Sequence, residues 1–160
     1  MFSTRGWGSD SVSSSAQSNR PSKGALSNSK PPKPDQSSGS AKLVLVVEDD
    51  EKTLKLLGQV FQRGGYRAAL TSNGVSAVNL LKRARPDLIL LDLRMPKMDG
   101  FQLLELLKKY RSSAEIPVVV LTGSSNPFDI DRALSLGIDD YLMKPISPRK
   151  LLIKVGELLR

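Results

Sequence analysis

The sequence predicts an α/β fold, a doubly wound parallel sheet of five strands with helices on both faces. Three observations carry that prediction. From Lys42 onward, short apolar runs alternate with segments of helical periodicity. The strongest runs are uninterrupted, as in strands buried on both faces, rather than alternating as in strands with one wet face. Five such β/α units fit into the last 119 or so residues, and repeated units of this kind imply right-handed crossovers between parallel strands.

The elements follow in order. Leu43-Val-Leu-Val-Val47 is a continuous, largely β-branched strand. A helix over 52–63 sets Leu54, Leu57, Val60 and Phe61 on one stripe, and Gly64-Gly65 stops it. Residues 66–71 form a weaker strand. A helix over 73–85 turns Val75, Val78 and Leu80 or Leu81 inward and ends at Pro86. Leu88-Ile-Leu-Leu91 is the second strongly buried strand. Asp99 caps a helix over 100–110. Residues 117–121 give a third apolar strand, 127–136 a shorter helix closed by Gly137, and 141–143 a short strand. Ser147-Pro148 reads as N-cap and first position of a last helix over 149–159. No solenoid-like repeat is present.

Composition narrows the function. The chain has 160 residues, 39% of them hydrophobic and 25% charged, enough for one domain with a core. With no cysteine and no histidine, disulfides, thiolate or imidazole metal sites, catalytic thiols and histidine bases are excluded. No apolar run approaches the roughly 20 residues of a membrane span. Residues 1–41 are rich in serine and proline, and such a segment cannot bury enough apolar surface to order itself. It is therefore expected to be a disordered basic tail, with five basic against two acidic residues, and a flexible extension is preferred over an organelle-import signal. The formal charge of +8 is spread out, +3 in the tail and +5 in 42–160, without a dense basic block. A solvated surface is expected rather than a nucleic-acid footprint.

In a doubly wound sheet, function gathers at the carboxyl ends of the strands. Glu48-Asp49-Asp50 follows the first strand, Asp92 ends the third, Thr122 follows the fourth and Lys144-Pro145 the fifth. Crowded carboxylates repel one another, and an all-oxygen donor set favours a hard cation such as Mg²⁺. A carboxylate beside Mg²⁺ and a lysine ammonium is equipped to attack a phosphoryl group. Asp50 and Glu51 have a plainer explanation, since acids before a helix favour its dipole. Asp92 is harder to set aside, because a charge ending a buried apolar run is costly unless it is paired.

These residues resemble the receiver domain of two-component response regulators, the CheY-like type. The matching stretches are Leu45-Val-Val-Glu-Asp-Asp50, Pro86-Asp-Leu-Ile-Leu-Leu-Asp-Leu-Arg-Met-Pro-Lys-Met-Asp-Gly100, Val118-Val-Val-Leu-Thr122 and Asp140-Tyr-Leu-Met-Lys-Pro145. The resemblance covers 42–160 and implies a flavodoxin-like (βα)5 sheet of order 2-1-3-4-5. It implies Asp92 as phosphoacceptor, with Mg²⁺ held by Asp92, Asp49 directly, Glu48 mostly through water, and the backbone carbonyl of Arg94. Thr122 resembles the switch hydroxyl, Lys144 the lysine that pairs with phosphoryl oxygens, and Tyr141 the aromatic switch. The Lys144–Pro145 bond is expected to be cis. Ile138 and Ile146 depart from the commonest family pattern and bear on the shape of the fourth and fifth units.

The resemblance implies a stand-alone receiver that takes a phosphoryl group from a sensor histidine kinase or a His-phosphotransfer protein. A downstream protein would read it through the face formed by 127–159, around Asp129, Arg132, Lys150 and Lys154. Neither direct DNA binding nor membrane insertion is expected; a monomer or weak phosphorylation-dependent dimer and a cytoplasmic location are. The chain is not expected to be an enzyme beyond Mg²⁺-dependent self-phosphorylation and self-dephosphorylation. Two other readings compete: a phosphorylation-independent adaptor, and a haloacid-dehalogenase-like phosphatase. The latter needs a second acid two residues after the nucleophile, where this sequence has Arg94.

Overall fold

The computed structural model describes residues 39–160. Nearly all of the segment expected to be a disordered tail, 1–38, lies outside the described residues. The strands are β1 (Leu43–Val47), β2 (Arg67–Thr71), β3 (Leu88–Asp92), β4 (Val118–Thr122) and β5 (Asp140–Met143). The helices are α1 (Glu51–Arg63), α2 (Gly74–Leu81), α3 (Gly100–Lys109), the four-residue α4 (Arg111–Ala114), α5 (Pro127–Ser135) and α6 (Pro148–Leu158). All four strand pairings are parallel and the order is β2-β1-β3-β4-β5, the expected sheet.

Two apolar clusters cover the two faces of this sheet. Leu45, Val47, Ile89, Leu91, Val118 and Val120 pack with α2, α3 and α5, whereas Val44, Val46, Leu88, Leu90, Val119 and Leu121 pack with α1 and α6. Alternate residues of one strand thus serve opposite clusters, which is why β1, β3 and β4 are continuous apolar runs. Ile138 is buried in the first cluster and Ile146 packs against the second, so both departures from the common pattern are absorbed by core packing.

The helix starts follow from capping. Asp50, Asn73, Asp99, Asn126 and Ser147 each accept a backbone N–H from the first turn, and Asp99 and Gln102 complete a reciprocal capping box. Asp50 accepts from both the amide and the hydroxyl of Thr53, so it serves α1, as the plainer explanation had it. Three expectations need correction. The second helix stops at Leu81 rather than Arg85, because the amides of Arg83 and Ala84 both converge on the Leu80 carbonyl and Lys82, Arg83 and Arg85 offer no apolar stripe to extend. Val75 is 54% exposed, not inward; Gly74 and Ala77 take the buried positions because the α2 N-terminus lies against Met98. The short α4 was not foreseen, and it is anchored by the buried Ser113 hydroxyl donating to the Leu107 carbonyl. Among the described residues no helix is long and apolar enough to cross a membrane.

Candidate functional site

The sheet register builds the site. Val47 stands beside Leu91, so the residues that follow them, Glu48 and Asp92, leave adjacent strands side by side. Thr122 stands beside Met143, and the next residue, Lys144, donates its amide to the Thr122 carbonyl. Four strand ends therefore deliver two acids, a hydroxyl and an ammonium to one edge. Gly100 completes the floor: a Cβ there would lie 2.5 Å from both the Asp92 carbonyl oxygen and the Leu93 Cα. Only a residue without a side chain lets α3 begin this close to the end of β3.

Glu48 is fully buried and Asp92 is 2% exposed. Lys144 Nζ bridges them, 2.8 Å from Glu48 Oε2 and 3.0 Å from Asp92 Oδ2. The other carboxylate oxygens are also satisfied: the Asp50 amide donates to Glu48 Oε1 at 3.1 Å and the Arg94 amide to Asp92 Oδ1 at 3.0 Å. Asp49 is half-buried, and one carboxylate oxygen each from Glu48, Asp49 and Asp92 lies within 4.8 Å of the others. Three acids thus face a single ammonium.

That imbalance shows in proton affinity. Burial pushes the Glu48 carboxyl above its ordinary range, with Lys144 and the Asp50 amide pulling the other way. Burial also works against the charged Lys144, but its bonds to Glu48 and Asp92 outweigh this and hold its pKa above the ordinary value. The pocket retains positive charge strongly. Its donor set is wholly oxygen and net anionic, so Glu48, Asp49 and Asp92 fit a hard divalent cation.

Thr122 and Tyr141 are the residues expected from the sequence to act as a switch. Thr122 is 1% exposed and its Oγ1 accepts the Ser124 amide at 3.0 Å, so the hydroxyl engages its own loop rather than Asp92. Tyr141 is 36% exposed and stands outward. The Lys144–Pro145 bond is cis. The Arg94 side chain, whose carbonyl is an expected metal ligand, reaches Asp129 on α5 with Nη2 2.7 Å from Oδ2. The Arg94 guanidinium, and after it the Ser124 hydroxyl, hold the Asp129 carboxyl below its ordinary range. Asp129 therefore faces the Asp92 loop, and its side chain is only 19% exposed. No sequence signal connects these two residues across 35 positions. Arg132 of α5 pairs with Glu105 of α3, and Lys154 of α6 pairs with Asp140 of β5.

A five-stranded parallel sheet of this order, with buried acids and a bridging lysine at its carboxyl edge, places the protein in the flavodoxin-like class of α/β folds. Comparison with known proteins specifies it further. Residues 44–156 match the family model described as the response regulator receiver domain, and the chain belongs to that family. It is 37% identical over 119 residues to the alkaline phosphatase synthesis transcriptional regulatory protein PhoP of Bacillus subtilis, covering 74% of this chain and 49% of that protein. The chain thus spans about half the length of that curated relative. The crystal structure of the receiver domain of a signal transduction histidine kinase from Syntrophus aciditrophicus is 39% identical with a TM-score of 0.70, covering 74% of this chain and 90% of that one. The receiver domain of sensor histidine kinase PA1611 from Pseudomonas aeruginosa PAO1, described with a magnesium ion coordinated in its active-site cleft, is 28% identical with a TM-score of 0.69, covering 74% and 98%.

Proposed function

We propose that this chain is a phosphorylation switch in which Asp92 accepts a phosphoryl group from a phosphohistidine of a sensor histidine kinase or His-phosphotransfer protein. The observation that carries the reading is the Lys144 ammonium, bonded at once to Glu48 and Asp92 inside a buried acidic pocket. An Asp92 carboxylate oxygen attacks phosphorus; a P–O bond forms as the P–N bond to the imidazole breaks, and the imidazole leaves with the bonding pair. Lys144 stands where charge builds on the phosphoryl oxygens and offsets it, while Glu48 holds the lysine in place. A divalent ion held by Glu48, Asp49, Asp92 and the Arg94 carbonyl would add positive charge at the same oxygens. No external substrate is turned over; a steady hydrolysis of phosphate esters would favour the phosphatase reading instead.

The output follows from Thr122. A phosphoryl group offers its hydroxyl a stronger acceptor than the bond it makes in its own loop. Withdrawal of Thr122 opens space that Tyr141 fills by rotating inward, which remodels the 127–159 face for a downstream protein. Phosphorylation shifts an existing equilibrium rather than creating a new fold. Beryllofluoride with Mg²⁺ tests this by NMR: amide signals of 127–159 should move in the unmutated chain, and Thr122→Ala should bind the mimic yet lose most of the distant change. Shifts confined to the surroundings of Asp92 would refute the mechanism.

A second reading has its own support, because the relative from Bacillus subtilis is named a transcriptional regulator and is about twice as long as the matched region. In that case the same face passes the signal to an attached DNA-binding segment rather than to a separate protein. A DNA mobility-shift assay on the natural gene product, with and without beryllofluoride, separates the two outputs.

A further inference from the structure

The helix that must move is fastened by arginines more than by apolar packing. In α5, Ala133 is the one fully buried residue, while Phe128 is 80% and Leu134 48% exposed. Among the described residues two ion pairs attach α5 to the rest of the fold. Arg132 reaches from α5 to Glu105 at 2.9 Å and lies 4.2 Å over the Phe101 ring, both on α3. Arg94 reaches from the loop after β3 to Asp129 in the first turn of α5, at 2.7 Å.

The second attachment is in an unusual position. Arg94 is two residues from Asp92, and its own amide already donates to Asp92 Oδ1. A phosphoryl group on Asp92 would bring about two negative charges next to the residue that holds α5. Guanidinium binds phosphoryl oxygens with two parallel bonds, which a single carboxylate contact at one nitrogen does not match. Arg94 is 65% exposed, so it can leave Asp129 without stranding a buried charge on its own side. Asp129 lies in the first turn of α5, so the helix N-terminus still favours its charge when the guanidinium departs.

We propose that Arg94 is a positioning residue with two alternative partners. Before phosphorylation it ties the N-terminus of α5 to the Asp92 loop through Asp129; on phosphorylation it exchanges Asp129 for the phosphoryl oxygens and releases that end of the helix. Arg132 keeps its bond to α3, so α5 turns about a retained contact. The inference rests on the phosphoacceptor reading of Asp92, and it adds a second route from the phosphoryl group to α5 beside Thr122. It also gives Asp129 a defined part: it competes with the phosphoryl group for one arginine.

Competition predicts opposite effects for the two members of one ion pair. Binding of beryllofluoride with Mg²⁺ is measured on the unmutated chain, Asp129→Asn, Arg94→Met and Arg94→Lys, with a melting curve for each. Asp129→Asn frees the arginine and should tighten binding about threefold, the scale of an exposed ion pair. Arg94→Met should weaken binding by a similar factor, with Arg94→Lys between. The Arg94 side-chain Nε–H signal should move on addition of the mimic, and in Asp129→Asn it should start away from its unmutated position. If both variants change affinity in the same direction, the pair is only a brace and the exchange is wrong. A side-chain signal that does not respond overturns it as well. Failure of the unmutated chain to bind beryllofluoride at all would instead remove the phosphoacceptor reading on which the exchange depends.

Discussion

The junction of β3 with α3 and the stretch from β4 to β5 are built on opposite plans. At the first, Leu88–Asp92 is buried along its whole length, Gly100 lies against the Asp92 backbone, and every carboxylate oxygen of Glu48 and Asp92 has a donor. At the second, β5 alternates half-buried with exposed residues, Tyr141 and Met143 face outward, and α5 is held largely by charged side chains. Under the proposed function the difference separates two tasks. A reacting carboxylate has to be held within a fraction of an ångström, which dense packing achieves. A surface that changes shape needs a low cost of local rearrangement, which sparse apolar contact allows.

The largest effect should come from the chemical group itself. Asp92→Asn should abolish stable labelling by acetyl phosphate with Mg²⁺, since an amide cannot form the acyl phosphate, and EDTA should do the same to the unmutated chain. Equal labelling of the variant at another residue would move the reaction elsewhere and dissolve the contrast. Next is the floor. Gly100→Ala places a methyl 2.5 Å from backbone that cannot yield, and should cost about 3 kcal/mol and some 10 °C of melting temperature. Leu134→Ala, on the exposed side of α5, should cost less than about 2 °C. Similar losses at both positions would show that the two regions are equally packed.

The smallest effect sharpens the electrostatics. The folded-state pKa of Glu48 lies above its ordinary 4.5 because burial opposes the charge. The folded chain therefore binds this proton more tightly than the unfolded chain does. Stability is lost as pH rises from about 4.5 through the folded value, and the cost stays in place at neutral pH. Glu48→Gln removes that cost and should raise the melting temperature slightly near pH 7, with the gain vanishing toward pH 4.5. Lys144 acts at the other end of the scale: its raised pKa contributes stability below 10.5 that disappears as pH climbs through the folded value. A gain for Glu48→Gln that grows toward acid would reverse the assigned sign.

The same contrast decides what could be read from the chain. β1, β3 and β4 announced themselves because burial on both faces writes itself as an unbroken apolar run. Glu48, Asp92, Thr122 and Lys144 stood out because each interrupts or ends such a run. Where structure depends on contacts distant in sequence and made by ordinary surface residues, the signal fades. Nothing in Arg94 or Asp129 marks them as partners, and nothing in Thr122 tells that its hydroxyl engages Ser124. Val75 looked inward because it is apolar, yet the close approach of Met98 gives the buried place to Gly74. Residues 82–85 read as helix only because Pro86 follows, a stop signal that bounds a helix without showing that it extends so far. The four-residue α4 is too short to show periodicity.

The interior position of β1, between β2 and β3, has a consequence for how the chain is made. On the ribosome Leu43–Val47 emerges early and acquires β2 on one edge, but its other edge belongs to β3, which begins at Leu88. At a synthesis rate of ~5–20 residues per second, a strand of five consecutive aliphatic residues waits on the order of seconds with one row of amides and carbonyls uncovered. Such an edge is a template for association between nascent chains. The residues flanking it are Lys42 on one side and Glu48-Asp49-Asp50 on the other. The acids that later line the carboxyl-edge pocket are therefore also placed to keep neighbouring nascent chains apart, a protection that exists before the pocket does.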